Sequence, residues 1–170
     1  MDKNTTLIQR IASNAIVAAI YVTLTVISTP FAYGDIQIRI AEAMVLLCFF
    51  RRDFVIGVTL GCLLANVSST LGLWDVLIGT AATLVSSLCI AYLSPKLLIA
   101  VIYPVIANGF VVAAELNWLL GLPFWWSVLT VSIGELIAVS LGYAFFMVIR
   151  YRYPSFLNVI HAERHREFAW

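Results

Sequence analysis

The sequence predicts an all-α polytopic membrane protein: one domain over residues 1–170, six transmembrane helices, both termini cytoplasmic. Three observations predict it. Of the 170 residues, 62% are hydrophobic and only 11% charged. Apolar runs of about 18 to 23 residues recur along the chain, each able to cross a hydrocarbon core of ~30 Å at about 1.5 Å per residue. Lys and Arg collect in alternate turns, the pattern of a chain that crosses repeatedly with its cationic turns on one side.

The first helix is expected over about residues 11–32, a run too long for a signal peptide and without a small-residue cleavage site. Pro30 and Gly34 close it. The second, over about residues 36–50, is short for a crossing. Its approach carries Asp35, Gln37, Arg39 and Glu42 before an uninterrupted apolar stretch that ends at Arg51-Arg52-Asp53. The third is expected over about 54–71, before Gly72, and the fourth over about 76–93, before Ser94-Pro95. Gly121-Leu122-Pro123 separates a fifth helix over about 97–116 from a sixth over about 127–149. The basic, aromatic tail, residues 150–170, contains Pro154, which ends the sixth helix, and both histidines, His161 and His165, and reads as a solvated or membrane-surface segment.

Alternation of sides puts the N-terminus, the Arg51-Arg52-Asp53 turn, the Ser94-Pro95-Lys96 turn and the tail together. These hold nine of the ten Lys and Arg residues, all but Arg39, hence the cytoplasmic termini. Trp74, Trp118, Trp125 and Trp126 fall in or beside the two outer loops and suit an interfacial belt. Cys48, Cys62 and Cys89 lie inside apolar runs and read as buried reduced thiols. The chain has no cofactor motif, metal-ligand spacing, Walker-type phosphate loop or basic patch for nucleic acid.

Hydropathy does not account for Glu42, Asn66, Asn108, Glu115 and Glu135, or for Arg39 and Asp75 near the outer ends. A carboxylate inside a bilayer costs several kcal/mol unless paired, hydrated or neutralised, so these residues are functional candidates. Counted from the cytoplasmic charges, Glu42 stands roughly 14 Å up, Asn108 about 18 Å, Asn66 about 20 Å, Glu135 about 22 Å, Glu115 about 28 Å and Asp75 about 31 Å. Five helices therefore contribute polar groups between the midplane and the outer surface, as the lining of one outward-opening pocket. No such cluster marks the cytoplasmic half, which disfavours a continuous channel. Arg39 and Glu42, three apart, share a face if helical and form a candidate pair. The competing structural reading is mutual pairing that fixes helix packing.

Ala12, Ala15 and Ala19 on the first helix, and Gly57 and Gly61 on the third, form small-xxx-small patterns that let another helix approach closely. They serve packing within the bundle or docking of another membrane subunit.

The stretches IQIRIAEAM (Ile36 to Met44), GCLLANVSSTLGLWDVLIGTAATL (Gly61 to Leu84), NGFVVAAEL (Asn108 to Leu116) and GELIAVSLG (Gly134 to Gly142) resemble the QueT-like queuosine-precursor transporters. That family supplies substrate-binding, or S, subunits of energy-coupling factor (ECF) importers. The resemblance implies a six-helix bundle in the plasma membrane of a prokaryote. It would bind a 7-deazaguanine, such as a prequeuosine base or queuine, from outside. It would then join a transmembrane scaffold subunit and two ATPases, with no ATPase site of its own. Ala15 and Ala19 match an Ala-xxx-Ala face that docks on the scaffold, which favours the docking reading of the Ala12, Ala15 and Ala19 stripe.

The chemistry suits such a ligand. A guanine-like edge offers adjacent N–H and NH2 donors that one carboxylate accepts as a pair, and a carbonyl that an amide donates to. Glu115 or Glu135 is the candidate for the donor edge, Asn66 and Asn108 for orientation, and Glu42 for a further acceptor or the partner of Arg39. An aminomethyl arm would supply a cation for a second carboxylate. Phe31, Tyr33 and Trp74 could stack on the base. Three other readings compete: a proton-coupled secondary transporter working through Glu42, Glu115 and Glu135, an intramembrane enzyme using paired carboxylates, and a purely structural subunit. The enzyme lacks a nucleophile paired with histidine, and the structural subunit leaves the acids without a purpose.

Overall fold

The computed structural model describes residues 3–32, 39–69, 71–153, 155–160 and 162. The beginning of the expected second helix, with Gly34, Asp35 and Gln37, lies outside the described residues, as do Tyr33, Pro154, His161, His165 and the side chains of Pro30 and Phe31. Among the described residues every regular element is helical. The long α1 runs Lys3–Ala32. The central α2, Ile40–Phe50, is wound as a 3-10 helix over Ile40–Leu46 and as an α-helix over Leu47–Phe50. Then come α3, Phe54–Asn66, and α4, Leu73–Leu93. A turn at Val101 interrupts α5, Leu97–Leu120, because the Pro104 ring lacks an N–H and crowds the carbonyl of Ala100. The last long helix, α6, covers Phe124–Arg152, and a short α7 covers Phe156–Val159.

Among the described residues four helices, α1, α4, α5 and α6, are long and apolar enough to cross a membrane, whereas α2 and α3 fall below that length. The 13 residues of α3 rise only about 20 Å. The chain therefore has the helices of a multi-pass membrane protein, with two short helices enclosed among long ones.

Neighbours around the rim run α1, α3, α4, α5, α6, and α2 packs inside them against α1, α4 and α6. From Ala41 to Phe50 every side chain of α2 except Ala43 is buried. A helix apolar all round is the one that tolerates the centre, and this position carries Glu42 to full burial (0% exposed). Phe49 and Phe50 anchor that core, with the Phe50 ring 5.2 Å from Phe146 of α6. The exterior is inverted relative to a water-soluble protein: Ile11 and Ile27 on α1, Leu77 on α4 and Leu141 on α6 point outward, while the acids point in.

The helix termini correct several expected boundaries. The first helix begins at Lys3 rather than near 11, and the sixth begins at Phe124 and runs through Arg152 rather than 127–149. Trp125 and Trp126 therefore stand on the first turn of α6 instead of in a loop. The third helix stops at Asn66, not 71, because the Asn66 amide turns across to the backbone of α4. Its shortness lets α4 begin at Leu73 instead of 76, with Trp74 and Asp75 in the first turn. The fifth helix runs to Leu120, past the expected 116, and ends where Gly121 takes φ 69°, a left-handed conformation that favours glycine.

The tail is also closer than expected. Phe156, Leu157 and Ile160 pack on the core and Ala162 is buried. Arg51, 4% exposed, binds both carboxylate oxygens of Asp53, at 2.5 and 2.9 Å, and donates to Ser13 Oγ at 2.5 Å and to the Ile160 carbonyl at 3.1 Å. One guanidinium thus joins α1, the α2–α3 turn and the tail, so residues 155–160 are not a free surface segment.

Candidate functional site

The polar groups that hydropathy left unexplained converge because the short helices end inside the bundle. Arg39 precedes the first turn of α2 in an extended conformation (φ −95°, ψ 90°) and so leaves the face on which Glu42 sits. Its guanidinium reaches Asp75 Oδ2 of α4 at 2.9 Å instead. The expected Arg39–Glu42 pair is replaced by an ion pair spanning 36 residues. Its two side chains are 23% and 1% exposed, so the acid is buried and the guanidinium lies at the edge.

Glu42 takes a different partner. Tyr21, from the middle of α1, donates its hydroxyl to Glu42 Oε1 at 2.5 Å, and Thr83 of α4 donates to the same oxygen at 3.4 Å. Thr83 also receives a contact from Cys62 Sγ at 3.3 Å. Asn66 spends its amide nitrogen on the Asp75 carbonyl at 3.0 Å and on Thr80 Oγ1 at 3.4 Å. It fastens the first turn of α4 to the end of α3.

On the other side, Asn108, Val112 and Glu115 fall at i, i+4 and i+7 on α5, one face of the helix. Val131 and Glu135 share a face of α6, and Asn108 Nδ2 donates to Glu135 Oε1 at 3.1 Å. A small cavity is lined by Arg39, Asn108, Val112, Val131 and Glu135. It holds space for about one water molecule. Glu42, Asn66, Asp75, Asn108, Glu115 and Glu135 are each at most 5% exposed, so the outward-opening pocket expected from the sequence is closed here.

The hydrogen bonding is incomplete. Glu42 Oε2, Asp75 Oδ1, Asn108 Oδ1 and both oxygens of Glu115 are buried with no hydrogen-bond partner among the described residues. A buried polar atom left unpaired costs about 1–3 kcal/mol, more if charged, so these atoms, of which Asn108 Oδ1 belongs to a cavity-lining residue, mark unspent acceptor capacity. The arrangement can accept a planar group that brings several N–H donors together. Among the described residues, no group of three His, Cys, Asp or Glu is placed to hold a metal ion.

Of the expected binding residues, Arg39, Glu42, Asn66, Asp75, Asn108, Glu115 and Glu135 are brought into one buried region, and Trp74 is not. It is 45% exposed and packs edge-on against Trp118, with ring centroids 4.8 Å apart. Tyr21, Thr80 and Thr83 belong to the polar network without having been singled out. Tyr21 carried one signal: a polar-tipped aromatic in the middle of an apolar helix, far from either interface. Thr80 and Thr83, three apart, share a face of α4, but threonine in a membrane helix is too common to single out.

The expected docking alanines, Ala12, Ala15 and Ala19, are all exposed on the outer side of α1. Gly57 and Gly61 face the other way, against Asn14, Ala18 and Tyr21 of α1, which settles those two glycines as packing within the bundle.

Comparison with known proteins adds three findings. The family described as QueT transporter matches residues 11–151. A relative described as "Queuosine precursor transporter QueT", from Lactococcus lactis subsp. cremoris (strain MG1363), is 42% identical over 79 residues. That match covers 44% of this chain and 45% of the relative, so it spans about half of the relative's length. No solved structure matches.

Proposed function

Because this chain belongs to the QueT transporter family, we propose that it is the substrate-binding subunit of an ECF-type importer, capturing a queuosine precursor, a 7-deazaguanine, at the buried polar site. The observation that carries this reading is the Asn108–Glu135 pair on the cavity wall, together with the buried acceptors of Asn108, Asp75, Glu42 and Glu115 that have no partner among the described residues. Glu135 accepts the N–H and NH2 donors of the guanine-like edge, and Asn108 rotates its amide from Glu135 to the ring carbonyl. Glu42, held by Tyr21 and Thr83, presents its free oxygen as a further acceptor. Asn66 and Asp75 act on the wall more than on the ligand, through the bonds that position α4.

A bicyclic base is several-fold larger than one water molecule, so the walls must part to admit it. The Arg39–Asp75 ion pair ties the beginning of α2 to the beginning of α4 and is the contact that opens. Trp74 and Trp118 stand near that end as interface anchors.

In this reading the single domain crosses the plasma membrane of a prokaryote six times, with both termini in the cytoplasm and α2 and α3 as short crossings completed by the residues that flank them. The exposed Ala12, Ala15 and Ala19 stripe offers a close-approach surface for the transmembrane scaffold subunit, which two ATPases drive. The chain has no catalytic role.

Equilibrium binding of 7-deazaguanines to the purified protein in nanodiscs tests the capture step. Glu135→Gln should weaken the base by about tenfold or more, the loss expected when a charged acceptor becomes an amide. Undiminished affinity in that variant would remove the assignment. Uptake in proteoliposomes tests the coupling: the reading requires ATP and the partner subunits, and uptake by this chain alone under a pH gradient would establish the proton-coupled carrier instead.

A further inference from the structure

At the basic end of the bundle two adjacent arginines are used in opposite ways. Arg51 is buried and bonded to Asp53, Ser13 and the Ile160 carbonyl. Arg52 is exposed, and its guanidinium turns back over the ring of Tyr92 on the last turn of α4, with Cζ 5.2 Å from the ring centroid. That distance is within the range of a cation–π contact. Such a contact occupies a flat face of the guanidinium and leaves its N–H edge free. Among the described residues that edge meets neither an acid nor another acceptor.

The shortage of acids there has a structural cause. Of the acids among the described residues, Glu42, Asp75, Glu115 and Glu135 lie in the buried site. Asp53, the neighbour of Arg52, spends both carboxylate oxygens on Arg51 and one of them also on Asn14. Lys96, four residues beyond Tyr92, is likewise exposed and has no acid partner among the described residues. Ser94 Oγ donates to the Lys96 carbonyl at 2.8 Å and fixes the turn that carries it. Two cations, one of them shelved on an aromatic ring, thus stand without countercharge on the two turns that the Arg52–Tyr92 contact brings together. The adjoining helix ends add apolar surface: Ile56 on the first turn of α3, Leu93 on the last turn of α4 and Leu98 on the first turn of α5 are all exposed.

We infer that the Arg52–Tyr92 shelf, with Lys96 as its second cation, binds the headgroup of an anionic phospholipid. A phosphate is an acceptor-rich anion that the guanidinium fork takes through paired N–H bonds, and Lys96 adds a point charge. The apolar side chains decide between the sources of phosphate. A soluble anion would use the cations alone, whereas a lipid also lays its acyl chains along Ile56, Leu93 and Leu98. Held back against the end of α4, the Arg52 charge sits where helix gives way to water, the level at which an anionic leaflet presents its headgroups. A lipid that engages both Arg52 and Lys96 ties the α2–α3 turn to the α4–α5 turn. This surface serves the bilayer and is independent of the ligand held at the buried acids.

Native mass spectrometry of the full chain, titrated with phosphatidylglycerol or with phosphatidylcholine of identical acyl chains, measures the two lipid affinities. The anionic lipid should bind at least about tenfold more tightly, since each cation near a charged headgroup contributes about fivefold. Arg52→Ala and Lys96→Ala should each weaken phosphatidylglycerol by about fivefold, and Tyr92→Leu by about threefold, with phosphatidylcholine within about twofold throughout. Arg152→Ala removes another exposed cation of this end and should change neither lipid by more than about twofold. Glycerol 1-phosphate, the soluble source of the same chemistry, should not displace the lipid at ten times its concentration. Displacement would assign the cations to a soluble anion and overturn the lipid site. Equal affinities for the two lipids in the wild-type protein would overturn it as well, as would an equal loss in Arg152→Ala. So would an Arg52→Ala variant that lowers Tm in phosphatidylcholine nanodiscs and keeps the lipid preference, which is the signature of a purely structural role.

Discussion

Gly61→Ala tests whether the packing of α1 on α3 sets the geometry of the site. A Cβ built at Gly61 would lie 2.7 Å from Tyr21 Cβ, 3.0 Å from Tyr21 Cγ and 3.1 Å from the Ala18 Cα. Ordinary contact begins at 3.4 Å, so the two helices would have to part by about 0.7 Å at this crossing. None of the three atoms is the end of a flexible side chain, and the displacement falls on backbone and on the root of Tyr21. Overpacking of this kind costs about 1–3 kcal/mol, which in a chain of this size lowers Tm by about 2–10 °C. The same shift draws the Tyr21 hydroxyl from Glu42 Oε1, now 2.5 Å away. Losing much of a hydrogen bond to a charged acceptor corresponds to about 3- to 10-fold in affinity if Glu42 serves the ligand.

Gly57→Ala is the matched control. Its Cβ would meet the Asn14 carbonyl at 2.7 Å and Asn14 Oδ1 at 2.8 Å, an equal crowding one turn nearer the basic end. Asn14 donates to Asp53 and accepts from Gly57 N, and touches none of the site acids. Thermal unfolding in nanodiscs and equilibrium binding, run on both variants, separate the two effects. Both should melt earlier, and only Gly61→Ala should lose ligand affinity. Unchanged Tm in Gly61→Ala, or an equal loss of affinity in Gly57→Ala, would refute the link from helix crossing to Tyr21 to Glu42.

Three further outcomes are expected. Asp75→Asn removes the countercharge of Arg39 and should cost about 1–3 kcal/mol, below the range for a fully buried pair because the guanidinium is partly exposed; Tm in nanodiscs measures it, and an unaltered Tm would show that the pair contributes nothing to closure. Arg51→Ala removes the bonds to Asp53, Ser13 and Ile160 together, so protease should cut the tail after residue 155 sooner than in the wild type, whereas identical digestion rates would mean that apolar packing alone holds it. Ala15→Leu places a bulky side chain on the exposed α1 face and should lower ATP-driven uptake with partner subunits by about tenfold or more while leaving ligand affinity within about twofold; unimpaired uptake would exclude that face as the docking surface.

The helical class was legible from composition and run length alone, because a chain this apolar must satisfy its backbone hydrogen bonds within its own segments. The candidate acids were legible for the converse reason: hydropathy cannot explain a carboxylate there, so Glu42, Glu115 and Glu135 announce themselves. Helix ends were less legible. Asn66 ends α3 early through a bond to the Asp75 carbonyl on another helix, whereas the local turn signal at Gly72 pointed to a later end.

What the sequence by itself determined is the inventory: long apolar helices, one shorter one among them, a basic end, and a small set of acids and amides that must turn inward. What only the tertiary structure decided is who meets whom. Spacing offered Glu42 to Arg39, yet an extended residue at the beginning of α2 turned Arg39 away to Asp75, and Tyr21, which looked like one aromatic among many, became the donor to Glu42. Periodicity reports which face of a helix a residue occupies, whereas the partner across the gap depends on how closely helices approach, and that is set by small residues such as Gly61 and by the early end of a short helix. For the same reason Glu115 was visible as an acid in the sequence, and only the packed bundle shows that neither of its oxygens finds a hydrogen-bond partner among the described residues.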